Sequence, residues 1–147
     1  MNINFNIYTD AATVVVFDLQ SLKHRITDTP DWWSITDDEI DEINNGNAIF
    51  LNLGSDGEYL INIVGKLNDY DGVAHICSPS GEIFIGAGED TTGGDLEPDD
   101  TSSISGRFIK FVPGSYSVKY KRVNNEIYLS FSKSKENKNS LEEPIRL

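Results

Sequence analysis

Asn47 to Val64 reads NAIFLNLGSDGEYLINIV: two apolar runs of strand length, NAIFLNL and EYLINIV, on either side of GSDG. Gly, Ser and Asp are the residues that a tight turn favours, so the stretch predicts two strands and a turn. The chain continues in the same manner. NDYDG is a further turn, and VAHIC is separated by SPSG from EIFIG. Beyond Gly106, RFIKFV, the turn PG, SYSVKYKRV, the turn NN and EIYLSFS add three more strands, with Tyr116, Val118 and Tyr120 alternating against Ser117 and Lys119.

Upstream, INFNIY sets Ile3, Phe5 and Ile7 against Asn2, Asn4 and Asn6, the period-two pattern of a half-buried strand. TVVVFDL, from Thr13, is β-branched and continuous, which predicts a strand buried on both faces. With TDAA as a turn between them, the two predict a hairpin. Leu19, Leu22 and Ile26 fall at helical spacing and predict a short helical turn before the break at DTPDWW.

Thr36–Asn45 predicts the one clear helix. Thr36 can cap it, Asp37, Asp38 and Glu39 complement the positive end of its dipole, and Gly46 suits a left-handed C-terminal position. Ile40 and Ile43 are its inward residues, which leaves Asp37, Asp38, Asp41 and Glu42 on an anionic solvent face. Eight or nine short strands and one helix predict a mainly β fold, a two-sheet antiparallel sandwich with the helix at one edge or end. An α+β sheet covered by the helix is the alternative. Residues 1–132 form a single β-rich domain in this reading, and residues 133–147 a polar, frayed C-terminal tail.

The 147 residues suffice for one packed core, and 38% hydrophobic and 10% aromatic content is too rich for a disordered chain despite a net charge of -12. The N-terminal MNINFNIYTD has no basic or apolar leader pattern, and no apolar run approaches bilayer length. With a single cysteine, Cys77, the expectation is a cytoplasmic protein with no internal disulfide. The charge is unevenly placed. Between Ile26 and Gly106, eighteen Asp and Glu stand against Lys66 alone, whereas residues 107–147 carry nine Lys and Arg against four Glu. So acidic a middle repels nucleic acid and anionic membranes and attracts a basic protein.

Common chemistries find no footing. G-x-S-x-G, H-E-x-x-H and the P-loop pattern are absent. Gly86 and Gly88 begin a G-x-G-x-x-G, but Thr91 stands third and Glu89 and Asp90 would repel phosphate. His75 and Cys77 share a strand face and read as core and edge packing rather than a metal or catalytic pair. No catalytic residue, metal site or cofactor is expected, and the chain reads as a binder rather than an enzyme.

The segment GAGEDTTGGDLEPDD, Gly86 to Asp100, is the most distinctive. It holds Glu89, Asp90, Asp95, Glu97, Asp99 and Asp100, five Gly or Pro residues and no cation. Its spacing departs from that of an EF-hand loop. Trp32 and Trp33 precede the acidic helix, where one packs against the sheet and the other is placed to anchor a partner inside a polar rim.

The order TVVVFDLQSLKHRI, DWWSI, NGNAIFLNLGSDGEYLINI and GRFIKFVPGSYSVKYKRV resembles small bacterial proteins found beside secreted toxins, groups whose members serve as immunity proteins. The last of these segments is also similar to the competence-associated nuclease inhibitor family, which is small, acidic and β-rich. The resemblance follows the order of elements and carries no site residue with it. It implies a bacterial immunity or inhibitor protein that neutralises a basic toxin domain, such as a nuclease. The placement of charge, rather than the resemblance, gives the candidate partner-binding residues: Glu89, Asp90, Asp95, Glu97, Asp99 and Asp100, then Asp37, Asp38, Asp41 and Glu42, with Trp32 or Trp33 as anchor. A calcium- or carbohydrate-binding β-sandwich module is the alternative.

Overall fold

The computed structural model describes residues 2–25, 35–88 and 106–147. In chain order these form β1 (Ile3–Thr9), β2 (Thr13–Asp18), a 3-10 helix (Leu19–Arg25), α1 (Thr36–Asn44), β3 (Ala48–Asn52), β4 (Gly57–Ile63), β5 (Gly72–Ser78), β6 (Glu82–Ala87), β7 (Gly106–Lys110), β8 (Gly114–Val123), β9 (Glu126–Lys133) and β10 (Ile145–Arg146). Two five-stranded sheets face each other, ordered β1-β4-β9-β8-β5 and β10-β3-β2-β6-β7. The predicted two-sheet sandwich is therefore present. Its sheets are mixed rather than wholly antiparallel, because β4 runs parallel to β9 and β10 parallel to β3.

Strand burial explains the layering. β1, β4, β5 and β8 alternate, with Ile7, Tyr59, Ile61, Ile76 and Val118 facing inward, so the first sheet buries one face only. β2, β3 and β6 are buried along nearly their whole length and occupy the centre of the second sheet. Val14, Val16, Ile49, Leu51, Ile83 and Ile85 face the first sheet, while Val15, Phe17, Ala48, Phe50 and Phe84 face outward under Leu22 of the 3-10 helix and Ile43 of α1. The continuous apolar run of β2 thus has its predicted cause: a sheet on one side and helices on the other.

The predicted β1–β2 hairpin does not form. β1 pairs with β4 and β2 with β3 and β6, so Asp10–Ala12 is a corner that carries the chain between sheets. Ala12 takes φ 52 there, and Thr9 Oγ1 accepts the Ala11 N–H at 3.1 Å and the Thr13 N–H at 3.4 Å. GSDG is a second such corner, since β3 and β4 also belong to different sheets. In contrast, β8 and β9 form a true hairpin, with Asn124 of the NN turn at φ 54.

Nor is the tail frayed. Asn139 Oδ1 accepts the His75 N–H at 2.8 Å and Asn139 Nδ2 donates to His75 O at 2.9 Å, so one amide side chain caps the free edge of β5 as a neighbouring strand would. Asn44 and Leu141 exchange two hydrogen bonds, and Ile145–Arg146 joins the second sheet beside β3. Among the described residues, no helix is long and apolar enough to cross a membrane.

Candidate functional site

α1 lies over the second sheet, and its phase decides which acidic residues meet solvent. Thr36 is the first helical residue and makes no cap; Ile35 precedes it, without a side-chain cap hydrogen bond. Gly46 takes φ 76 and donates its N–H to Ile43 O, as expected of the residue that ends the helix. Ile43 is fully buried, and two glutamates are buried beside it: Glu39, one turn before it, is 5% exposed and Glu42, immediately before it, 2%. Ile40 is only half-buried.

Glu42 is consequently not part of the solvent face on which the sequence placed it. His24 Nε2 stands 2.5 Å from its Oε2, and Asn47 Nδ2 donates to its Oε1 at 2.9 Å. Its role is to tie α1 to the 3-10 helix and the start of β3. Asp37 and Asp41 are exposed and Asp38 is half-buried, so these three form the anionic face of the helix. Glu89, Asp90, Asp95, Glu97, Asp99, Asp100, Trp32 and Trp33 lie outside the described residues. The strands bracketing the long acidic segment are paired, Gly86 opposite Gly106, and Gly88 packs against Thr13.

Beside Thr13 opens a cleft of about 390 Å³, lined by Thr13, Thr36, Glu39, Asn52 and Arg146 with Ala11 and Pro144. Its polar groups come from α1, β2, β3 and β10. Asn52 Nδ2 donates to Glu39 Oε1 at 2.9 Å and to Ile145 O at 3.1 Å; Asn52 Oδ1 lies 3.2 Å from Thr13 Oγ1, which also donates to Ala11 O at 2.9 Å. Burial pushes the Glu39 carboxyl above the ordinary 4.5, against the pull of the Asn52 hydrogen bond and the Arg146 charge. No short sequence motif announces these residues. The one available signal was that Glu39 stands four residues before Ile43, on its buried stripe.

The far side of the sandwich, the outer face of the first sheet, carries charges of both signs. Lys119 Nζ sits 4.8 Å from the Tyr70 ring centroid, and Lys121 Nζ bonds Asp69 Oδ2 at 2.5 Å. His75 and Cys77 are half-buried on that face, with His75 Nδ1 3.0 Å from Ser117 Oγ. Among the described residues, no group of three or more His, Cys, Asp or Glu is arranged to hold a metal ion.

Comparison with known structures places the fold. ComJ, inhibitor of the DNA degrading activity of NucA, from Bacillus subtilis, is similar with a TM-score of 0.54 and 12% identity, over 90% of this chain and 96% of that one. The protein titled "Crocagin biosynthetic gene J" is similar with a TM-score of 0.50 and 13% identity, over 88% of this chain and 94% of that one. At such identities the likeness is one of fold. Among curated proteins nothing matches the chain. A family model does match, over residues 1–147, and the chain belongs to that family, the family of unknown function DUF6386.

Proposed function

We propose that this protein is a bacterial inhibitor of the immunity type, acting in the cytoplasm without catalysis of its own, which binds and neutralises a basic protein toxin domain, a nuclease in the first instance. The observation that carries this reading is the fold, which a nuclease inhibitor shares at a TM-score of 0.54. The placement of charge supports it. Asp37, Asp38 and Asp41 stand together on the solvent side of α1, while Lys119 and Lys121 lie on the opposite sheet face. A nuclease presents cations where it holds phosphate, so a carboxylate face competes for that surface and speeds encounter by attraction. Inhibition is by occlusion. Glu89, Asp90, Asp95, Glu97, Asp99 and Asp100 extend the acidic surface in this proposal, and Trp32 or Trp33 is the apolar anchor.

The test is capture from the source bacterium with wild type and with a variant whose six carboxylates between Glu89 and Asp100 are changed to Asn and Gln. The expected result is one basic protein retained by wild type and lost by the variant, with a DNA- or RNA-degrading activity that wild type suppresses. Retention of no specific protein, or of one whose activity is unaffected, would remove the reading.

A further inference from the structure

Glu39 combines three properties that no other described carboxylate joins: it is 5% exposed, it lines a cleft, and its carboxylate has a single protein partner among the described residues, Asn52 Nδ2 on Oε1. The other buried acids differ. Asp18 accepts four hydrogen bonds, and Glu42 is held by His24 and Asn47. A desolvated carboxylate with one neutral hydrogen-bond donor and only the longer-range charge of Arg146 is incompletely compensated, and a cation in contact is the group that compensates it best. We infer that the cleft between α1, β3 and β10 is a receptor for one basic side chain, an arginine or lysine, for which Glu39 is the counter-ion and Thr13, Thr36 and Asn52 are the surrounding polar wall.

Charge and size are consistent with such a guest. The volume of about 390 Å³ falls in the range of small-ligand pockets and admits one long side chain. Asp37 is exposed on the same first turn of α1 but does not line the cleft, so its charge adds only to the long-range attraction of a cation toward this end of the helix. Arg146 is the opposing element. It lies at the cleft on a two-residue strand, and its charge acts on Glu39 from beyond ion-pair distance. A cationic guest must therefore displace or tolerate Arg146, whereas an anionic guest would use it. This inference rests on the inhibitor reading for the identity of the guest, a residue of the basic partner, but the cleft can be probed without that partner.

The experiment is an NMR titration of the protein with N-acetyl-arginine amide and with acetylated tri-arginine, following the Asn52 side-chain amide and the Thr13 backbone amide. N-acetyl-glutamate serves as the anionic control. Saturable shifts with the cationic probes are expected. Glu39→Gln, which keeps shape and the Asn52 hydrogen bond, should weaken them at least about tenfold with the rest of its spectrum unchanged. Arg146→Gln should tighten them several-fold. The inference is overturned if no saturable shift occurs, if Glu39→Gln binds as wild type does, or if Arg146→Gln weakens binding and the anionic control is the probe that saturates. Once a partner is captured, the two proposals separate. A nuclease bound equally by Glu39→Gln leaves inhibition standing and removes the cleft, while arginine binding without any captured nuclease leaves the cleft standing and removes inhibition.

Discussion

At the scale of single residues, two buried carboxylates answer to pH in opposite senses. Asp18 is fully buried at the end of β2. Burial pushes its carboxyl up, but hydrogen bonds from Ser80 Oγ, the Gln20 N–H, the Ser80 N–H and Ser78 Oγ outweigh that and hold it below the ordinary 3.8. A carboxyl lowered on folding stabilises the fold above its unfolded pKa, and the contribution disappears as pH falls through the folded value. Asp18→Asn should therefore cost about 2 kcal/mol in urea unfolding at neutral pH, with the gap from wild type closing well below pH 3.8. An equal gap at both pH values would show that the charge is irrelevant. Glu39 has the reverse sign. Its carboxyl is raised by burial despite Asn52 and Arg146, so its contribution is intact below 4.5 and is lost as pH rises through the folded value. Glu39→Gln should unfold at a higher urea concentration than wild type at pH 7 and at the same one under acid. A destabilised variant at pH 7 would mean that the ionised group is better compensated than its single neutral donor suggests.

At the scale of elements, alternation shows which face of a strand is buried and leaves its neighbour open. Ile3, Phe5 and Ile7 disclosed the inward side of β1, but nothing in INFNIY distinguishes pairing with β2 from pairing with β4. Sandwich corners defeat the hairpin expectation for this reason: a turn signal such as GSDG reverses the chain whether or not the second strand stays in the same sheet. α1 was legible as a helix but not in phase, because Ile40 and Ile43 suggest a stripe that Glu39 and Glu42 actually share with Ile43. Buried glutamates cannot be recognised until the partners that satisfy them are assembled, and Asn47, Asn52 and His24 come from other elements. The same holds for the tail, where polar composition concealed Asn139. Its side chain satisfies the His75 N–H and carbonyl and also donates to Ile43 O at 2.7 Å, joining the β5 edge to the end of α1. Asn139→Ala should destabilise by about 2 kcal/mol, accelerate hydrogen exchange at the His75 amide before most others, and promote edge-to-edge self-association visible by light scattering. Unchanged exchange at His75 would show that the cap is dispensable.

At the scale of the whole molecule, the exposed carboxylates of α1 gather in the helix layer, whereas the outer face of the first sheet carries both signs, with Lys121 paired to Asp69. Asp37, Asp38 and Asp41 occupy the helix layer, the cleft opens beside the first turn of that helix, and Lys119 and Lys121 lie on the outer face of the first sheet. The scaffold presents this acidic face on a rigid support, because α1 is fixed by Ile43 from below, by Glu42 toward His24 and by Asn44 toward Leu141. For a basic partner, such a patch should govern the rate of encounter more than the lifetime of the complex, since exposed charges act at a distance and contribute little at contact. Asp37→Asn with Asp41→Asn should therefore reduce the association rate several-fold at about 20 mM salt, reduce it little at about 300 mM, where the Debye length falls below ~10 Å, and leave the dissociation rate almost unchanged. Stopped-flow association with the captured partner gives these rates directly. A loss seen mainly in the dissociation rate would place Asp37 and Asp41 in direct, desolvated contact. No effect at any salt concentration would move the interface off α1 and leave the segment from Glu89 to Asp100 as the acidic surface that the partner meets.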